Sequence, residues 1–94
     1  MQATMRVSKI EARRVFTRYG WQPINADAFA HSAGKQIMTL ESEDYRVQMY
    51  ESRTGVKIYA KVTDRIHSER YHLSAYCYKL RYEKMKQELK LRAL

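Results

Sequence analysis

The chain has little of what divides or staples a fold. One proline and three glycines among 94 residues leave no Pro/Gly/Ser-rich linker, and there is no low-complexity run or internal repeat. A single small basic domain over residues 1–94 is therefore expected, with residues 1–7 expected to be disordered. One cysteine, Cys77, excludes an intramolecular disulfide and cannot anchor a zinc ligand set, so a reducing, cytoplasmic setting is expected. His67, His72 and Cys77 are spaced by five, which on a helix turns successive side chains apart, so no metal is expected. No apolar run approaches the ~20 residues of a bilayer span, and no membrane partner is expected. Nucleophile elbows, P-loops, H-E-x-x-H and dinucleotide fingerprints are all missing. No cofactor and no catalytic residue is expected, and the reading leans away from an enzyme.

Positive charge is what the chain has in excess. Eighteen Lys and Arg against ten Asp and Glu give a net charge of +8, which argues for an anionic partner or for solvated basic helices. The excess is unevenly placed. Residues 1–20 hold five basic and one acidic side chain, 21–67 six and six, and 68–94 seven and three. The net charge thus lies at the two ends, in segments that both read as helical.

Ser8-Lys9-Ile10-Glu11 is a capping-box pattern, in which hydroxyl and carboxylate satisfy free N–H groups of a first helical turn. The helix it opens should end at Gly20. Ala12, Val15, Phe16 and Tyr19 recur on one face, and Arg13, Arg14 and Arg18 fall opposite. Asn25 is a candidate N-cap for a short helical turn ending before Gly34. Lys35–Glu41 reads as a strand, as do the alternating runs 45–50 and 56–62 on either side of a turn at Ser52-Arg53-Thr54-Gly55. The pairing expected across that turn sets Met49 against Ile58, Val47 against Ala60 and Tyr45 against Val62. From Ser68 onward, Tyr71, Ala75, Tyr78, Tyr82, Met85 and Leu89 recur at spacings of four and three, which predicts one long helix. Tyr71, Leu73, Ala75 and Cys77 also alternate, so a fourth strand over 71–80 stays open. The expected architecture is a two-layer α+β domain: N-terminal helix, three-stranded antiparallel sheet, long C-terminal helix.

The candidate site follows from that arrangement. Arg13, Arg14 and Arg18 on the first helix, with Lys79, Lys84, Lys86 and Lys90 on the last, would contact phosphates. Arg46, Lys57 and Lys61 share one sheet face with Tyr50 and Tyr59, and rings interleaved with cations are how sheets stack unpaired bases. The function expected is that of a small nucleic-acid-binding protein, DNA or RNA, which contacts phosphates through its two terminal helices. The alternative is a regulator or inhibitor that binds a protein partner, or a second copy of itself, through Tyr82, Met85 and Leu89. Those three lie on a helix long enough, as predicted, to project beyond the sheet.

Two families offer resemblances. The order helix, three strands, helix resembles that of double-stranded-RNA-binding domains, although Ser68-Glu69-Arg70 stands where their basic cluster would open the last helix. Asp44-Tyr45-Arg46-Val47-Gln48-Met49-Tyr50, with Val56-Lys57-Ile58-Tyr59, Arg65 and Tyr71, resembles the strand region of RelE-type mRNA interferases. That resemblance implies ribosome-dependent RNA cleavage, with Arg46 and Arg65 holding phosphate and Tyr71 in acid–base work. The family's long N-terminal helical hairpin has no counterpart in this sequence.

Overall fold

The computed structural model describes residues 3–42, 45–64 and 72–94. The elements run β1 (Ala3–Arg6), α1 (Lys9–Arg18), β2 (Gln22–Pro23), α2 (Ala26–Ser32), β3 (Ala33–Ser42), β4 (Tyr45–Ser52), β5 (Lys57–Asp64), β6 (His72–Tyr78) and α3 (Lys79–Arg92). The α+β class is as expected, but the sheet has six strands in the order β1-β3-β4-β5-β6-β2 rather than three. It is mixed: β1 lies parallel to β3, and the other neighbouring strands are antiparallel.

Local chemistry sets the helix ends. Ser8 caps α1, its hydroxyl accepting from the Glu11 N–H at 3.3 Å, and the chain leaves the helix through Gly20, whose φ of +61° favours glycine. Asn25 caps α2 in the same way, accepting from the Ala28 N–H at 2.8 Å. At the other extreme of α1, residues 3–6 are not the disordered arm expected from composition. They form an edge strand beside β3, and Val7 behind them is fully buried.

The hairpin register differs from expectation by two residues. Met49 pairs with Ala60, Val47 with Val62 and Tyr50 with Tyr59. The Ser52 side chain explains the shift. Its hydroxyl accepts from the N–H groups of Val56 at 3.2 Å and Lys57 at 3.1 Å, while the Gly55 N–H bonds the Ser52 carbonyl at 3.0 Å. One side chain thus does the work of a strand acceptor, and the turn absorbs the extra residues. A shift of two preserves the faces, so every side chain predicted inward still points inward. Ser52→Ala is expected to lower stability by about 1–3 kcal/mol, because two hydrogen-bonded N–H groups lose their acceptor at once. Urea denaturation of the two proteins measures this.

The region from residue 72 carries the largest correction. The expected long helix is a strand followed by a helix: β6 pairs with β5, setting Ile58 opposite Cys77, Ala60 opposite Ala75 and Val62 opposite Leu73. Periods of two and of 3.6 both fit this stretch, and the choice is tertiary. Without β6, β5 would leave a full row of N–H and C=O groups at an open edge, and Tyr76, Cys77 and Tyr78 suit a strand. The remaining helix, α3, has 14 residues, about 21 Å at 1.5 Å per residue, and it spans the sheet rather than projecting from it.

One core results. Val7, Ala12, Val15, Met38, Leu40, Val47, Met49, Ile58, Ala60, Cys77, Tyr82, Met85 and Leu89 are all buried in it. A bulge in β3, where the register slips between Gln36 and Met38, brings both Ile37 and Met38 against that core. The helices α1 and α3 cover this face. They are antiparallel to one another, since Arg92 of α3 bonds Glu11 and Arg81 donates to the Tyr19 carbonyl at 3.4 Å. The Trp21 indole N–H reaches the Met85 sulfur at 3.1 Å and closes the end of the layer. On the opposite face sits α2, so helices cover the sheet from both sides and the two-layer expectation is corrected.

Candidate nucleic-acid interface

The residues singled out from sequence divide between two faces. The first is the outer surface of α1 and α3. Arg13, Arg14 and Arg18 are exposed along α1, beside Ile10 and Thr17 in a shallow open depression. Lys84 and Lys90 are exposed on α3. Because the helices pack side by side, their charge adds: α1 carries four cations and one carboxylate, and α3 six cations and two carboxylates. The pair therefore holds +7 of the chain's +8.

Not all of these cations are equally available. Arg14 meets Glu11 at 3.4 Å, Arg18 bonds Glu88, and Arg92 bridges both carboxylates, to Glu11 and, at 3.4 Å, to Glu88. This chain of alternating charges ties the two helices together. The hydrogen bond that Arg92 donates to Glu11, followed by the carboxylate charges, holds its guanidinium above the usual pKa. Lys86 pairs with Glu83 at 3.2 Å, and Lys79 with Glu51 at 3.5 Å. Arg13, Lys84 and Lys90 make no ion pair among the described residues. A solvent-exposed pair such as Lys79–Glu51 is worth only about 0–1 kcal/mol, so an incoming phosphate competes with it on nearly even terms.

The second face is the side of the sheet turned away from α1 and α3. Here the structure brings Arg46, Tyr50, Lys57, Tyr59 and Lys61 together, as the alternation predicted. The registers extend the row: Tyr50, Tyr59 and Tyr76 are opposite one another on β4, β5 and β6, and Lys57 lies opposite Tyr78. Arg46 faces Glu41 at 4.0 Å, and Arg6 is paired in register with the same glutamate from β1. The sequence reading missed Tyr76 and Tyr78, having placed them on a helix, and Arg6, having placed it in a disordered arm. Tyr59 is not the open stacking platform expected: Phe29 of α2 lies over the row, edge-on to Tyr50 at 5.5 Å and to Tyr59 at 6.0 Å, and leaves Tyr59 only 5% exposed.

Two further expectations meet the structure here. Tyr82, Met85 and Leu89, proposed from sequence as a partner interface, are buried in the chain's own core, because α3 begins at Lys79 and its seam lies on the sheet. They present no surface to a partner. Of the three residues that the interferase resemblance nominated, Arg46 lies on the second face, while Arg65 and Tyr71 lie outside the described residues. The helix-strands-helix order shared with double-stranded-RNA-binding domains does not hold either, since β2 and α2 intervene and the sheet contains a parallel pair.

Among the described residues, no three His, Cys, Asp or Glu side chains come together in a way that could hold a metal ion, and no helix is long and apolar enough to cross a membrane. Comparisons with protein-family models, curated proteins and solved structures return no match.

Proposed function

We propose that this protein binds nucleic acid through the outer surface of α1 and α3, contacting phosphates. The observation that supports this is the concentration of nearly all the net charge, +7 of +8, in two helices packed side by side. An array of exposed Arg and Lys of this density displaces counterions from a polyanion, and that release drives association. Arg13, Lys84 and Lys90 would make the first contacts, since no carboxylate must be displaced from them. Arg14, Arg18 and Lys86 would exchange carboxylates for phosphates, and Lys79 lies at the start of α3 as a peripheral contact.

The test is the salt dependence of binding to a labelled duplex. Affinity is expected to fall with a log–log slope of roughly 0.9 per contacted phosphate, and the triple variant Arg13→Ala, Lys84→Ala, Lys90→Ala to shrink that slope by up to about 3 units while retaining the fold. A slope near zero, or a triple variant that binds as the wild type does, would transfer the reading to a protein partner with an acidic surface.

A further inference from the structure

We propose that the opposite face of the sheet takes unpaired nucleotides, stacking a base on Tyr78 and Tyr76 with Lys57 at the phosphate, and that Phe29 covers the inner half of the same platform. The inference rests on the nucleic-acid reading above and adds to it a second surface and a class of ligand, single-stranded DNA or RNA.

The geometry behind this is a continuous aromatic row. Phe29, Tyr59, Tyr76 and Tyr78 follow one another at centroid separations of 6.0, 6.0 and 6.4 Å, within the range of ring–ring contact. The row is covered at one end and open at the other: Tyr59 is buried, whereas Tyr78, the last residue of β6 and the N-cap of α3, is 54% exposed. The Lys57 ammonium lies 4.8 Å from the Tyr76 ring centre and 5.7 Å from that of Tyr78. Glu51, the nearby carboxylate at the hairpin end, is taken by Lys79 at 3.5 Å. Lys57 makes no ion pair among the described residues, so its partner on this face is a pair of π clouds, and an arriving phosphate meets an uncommitted cation.

Charge and spacing favour a strand of nucleotides over an apolar partner. Lys57, Tyr59 and Lys61 alternate on β5, so the two cations stand about 13.6 Å apart along the strand with a ring between them, on the scale of two nucleotide steps in an extended chain. Arg46 on β4 continues the cationic side, set against a single carboxylate, Glu41, at 4.0 Å. Around these lie hydroxyl and amide groups: Thr39 and Gln48 are register partners, and the Gln36 amide donates to Thr39 at 2.9 Å. This is a polar, hydrogen-bonding surface on the same sheet face as the Tyr row, which suits bases and phosphates and does not suit an apolar protein face.

The cover is lightly held. No residue of α2 is buried, and Phe29 is the ring it places on the sheet. A base entering the row from Tyr78 would meet Phe29 edge-on to Tyr50 and Tyr59, in the position a second base would take. Displacing one ring by another exchanges similar contacts, so the cover can give way at small free-energy cost.

The experiment is fluorescence anisotropy with a labelled homopyrimidine 12-mer and with a duplex of equal length, on the full chain. Tyr78→Ala is expected to weaken single-strand binding about 5- to 100-fold while leaving duplex binding unchanged, and Tyr78→Phe, which keeps the ring, to restore it. Phe29→Ala is expected to tighten single-strand binding alone. Circular dichroism melts establish that each variant is folded, which the exposure of Tyr78 favours. Equal losses on single strand and duplex, or no loss in Tyr78→Ala, overturn the platform. Unchanged or weaker single-strand binding by Phe29→Ala overturns the cover. Duplex binding that still responds to the α1–α3 triple variant while Tyr78→Ala is silent would sink this proposal and leave the helical reading standing. The absence of salt-dependent binding to either probe would sink both.

Discussion

Replacing Met85 and Leu89 together with glutamate is expected to leave the chain unfolded at 25 °C, independent of protein concentration. Both side chains, on the inner face of α3, are fully buried in the hydrophobic core, and each substitution removes an apolar group and places a carboxylate among apolar side chains. A buried unpaired charge costs several kcal/mol, and two of them match or exceed the roughly 5–15 kcal/mol by which a domain of this size is stable. The milder Leu89→Ala should cost about 2–5 kcal/mol and keep the fold, with the loss set by how far Tyr82 and Met85 close the cavity. Far-UV circular dichroism with urea titration reads both effects. If the same residues formed an intermolecular seam, the double variant would instead be a folded monomer derived from an oligomeric wild type. Light scattering separates these outcomes, and a folded monomeric variant would overturn the assignment of this seam to the core.

That seam shows how far periodicity carries. Tyr82, Met85 and Leu89 recur at spacings of three and four, which identifies an apolar helix face correctly but does not say what covers it. The answer depended on where the helix starts, and over 71–78 the residues satisfy two periods at once. Only the need of β5 for a neighbour decides between them, and a need of that kind is not written in any window of sequence. The hairpin between β4 and β5 behaves differently. Alternation fixes which side chains share a face, and Val47, Met49, Ile58 and Ala60 are buried as read; the register itself depends on one hydroxyl, that of Ser52, which bonds two N–H groups across the turn. Capping signals were the most legible of all. Ser8 and Asn25 act as read, because a cap is a contact between residues three apart and needs no tertiary information.

For the candidate interface, charge was legible and neighbourhood was not. Counting Lys and Arg by segment placed the excess in the terminal helices, and their antiparallel packing on one face turns two modest charges into one basic layer. The ion pairs joining Arg18 and Arg92 to Glu88, and Arg92 to Glu11, have partners up to 81 positions apart, beyond the reach of any i, i+4 argument. The tyrosine row was half visible. Tyr50 and Tyr59 came from alternation, whereas Tyr76 and Tyr78 needed β6 to be a strand, and the covering ring of Phe29 comes from a helix whose own composition says nothing about which face of the sheet it lies on.

The buried titratable groups set the response of the fold to base. Burial pushes the Cys77 thiol up to about 12 against an ordinary 9.0, with the Arg81 charge opposing. It also pushes the Tyr82 hydroxyl up to about 12 from 10.0, with smaller contributions from Glu83 and Cys77, and raises Tyr45 through desolvation alone. The sign follows from proton counting. Above pH ~9 the unfolded chain releases the cysteine proton, and above ~10 the tyrosine protons, while the folded chain keeps all three. The native state then binds more protons than the unfolded state, so stability falls as pH rises, by about 1.4 kcal/mol per pH unit for each group in this condition. Stability with respect to these groups is full below pH ~9 and is lost progressively towards pH 12, with Cys77 contributing roughly 4 kcal/mol and Tyr82 roughly 3 kcal/mol over the whole window. A steep alkaline unfolding transition is expected where an exposed set of tyrosines would give none. Tyr82→Phe isolates one contribution. At pH 7 it removes only a weak contact, the hydroxyl lying 3.8 Å from the Met38 sulfur, and should change stability by less than about 1 kcal/mol. At pH 11 the variant should gain about 1 kcal/mol over the wild type relative to pH 7, because its unfolded state no longer has that proton to lose. Urea denaturation at the two pH values measures the difference. An equal effect of the substitution at both would mean that the Tyr82 hydroxyl titrates in the folded protein as it does in the unfolded chain.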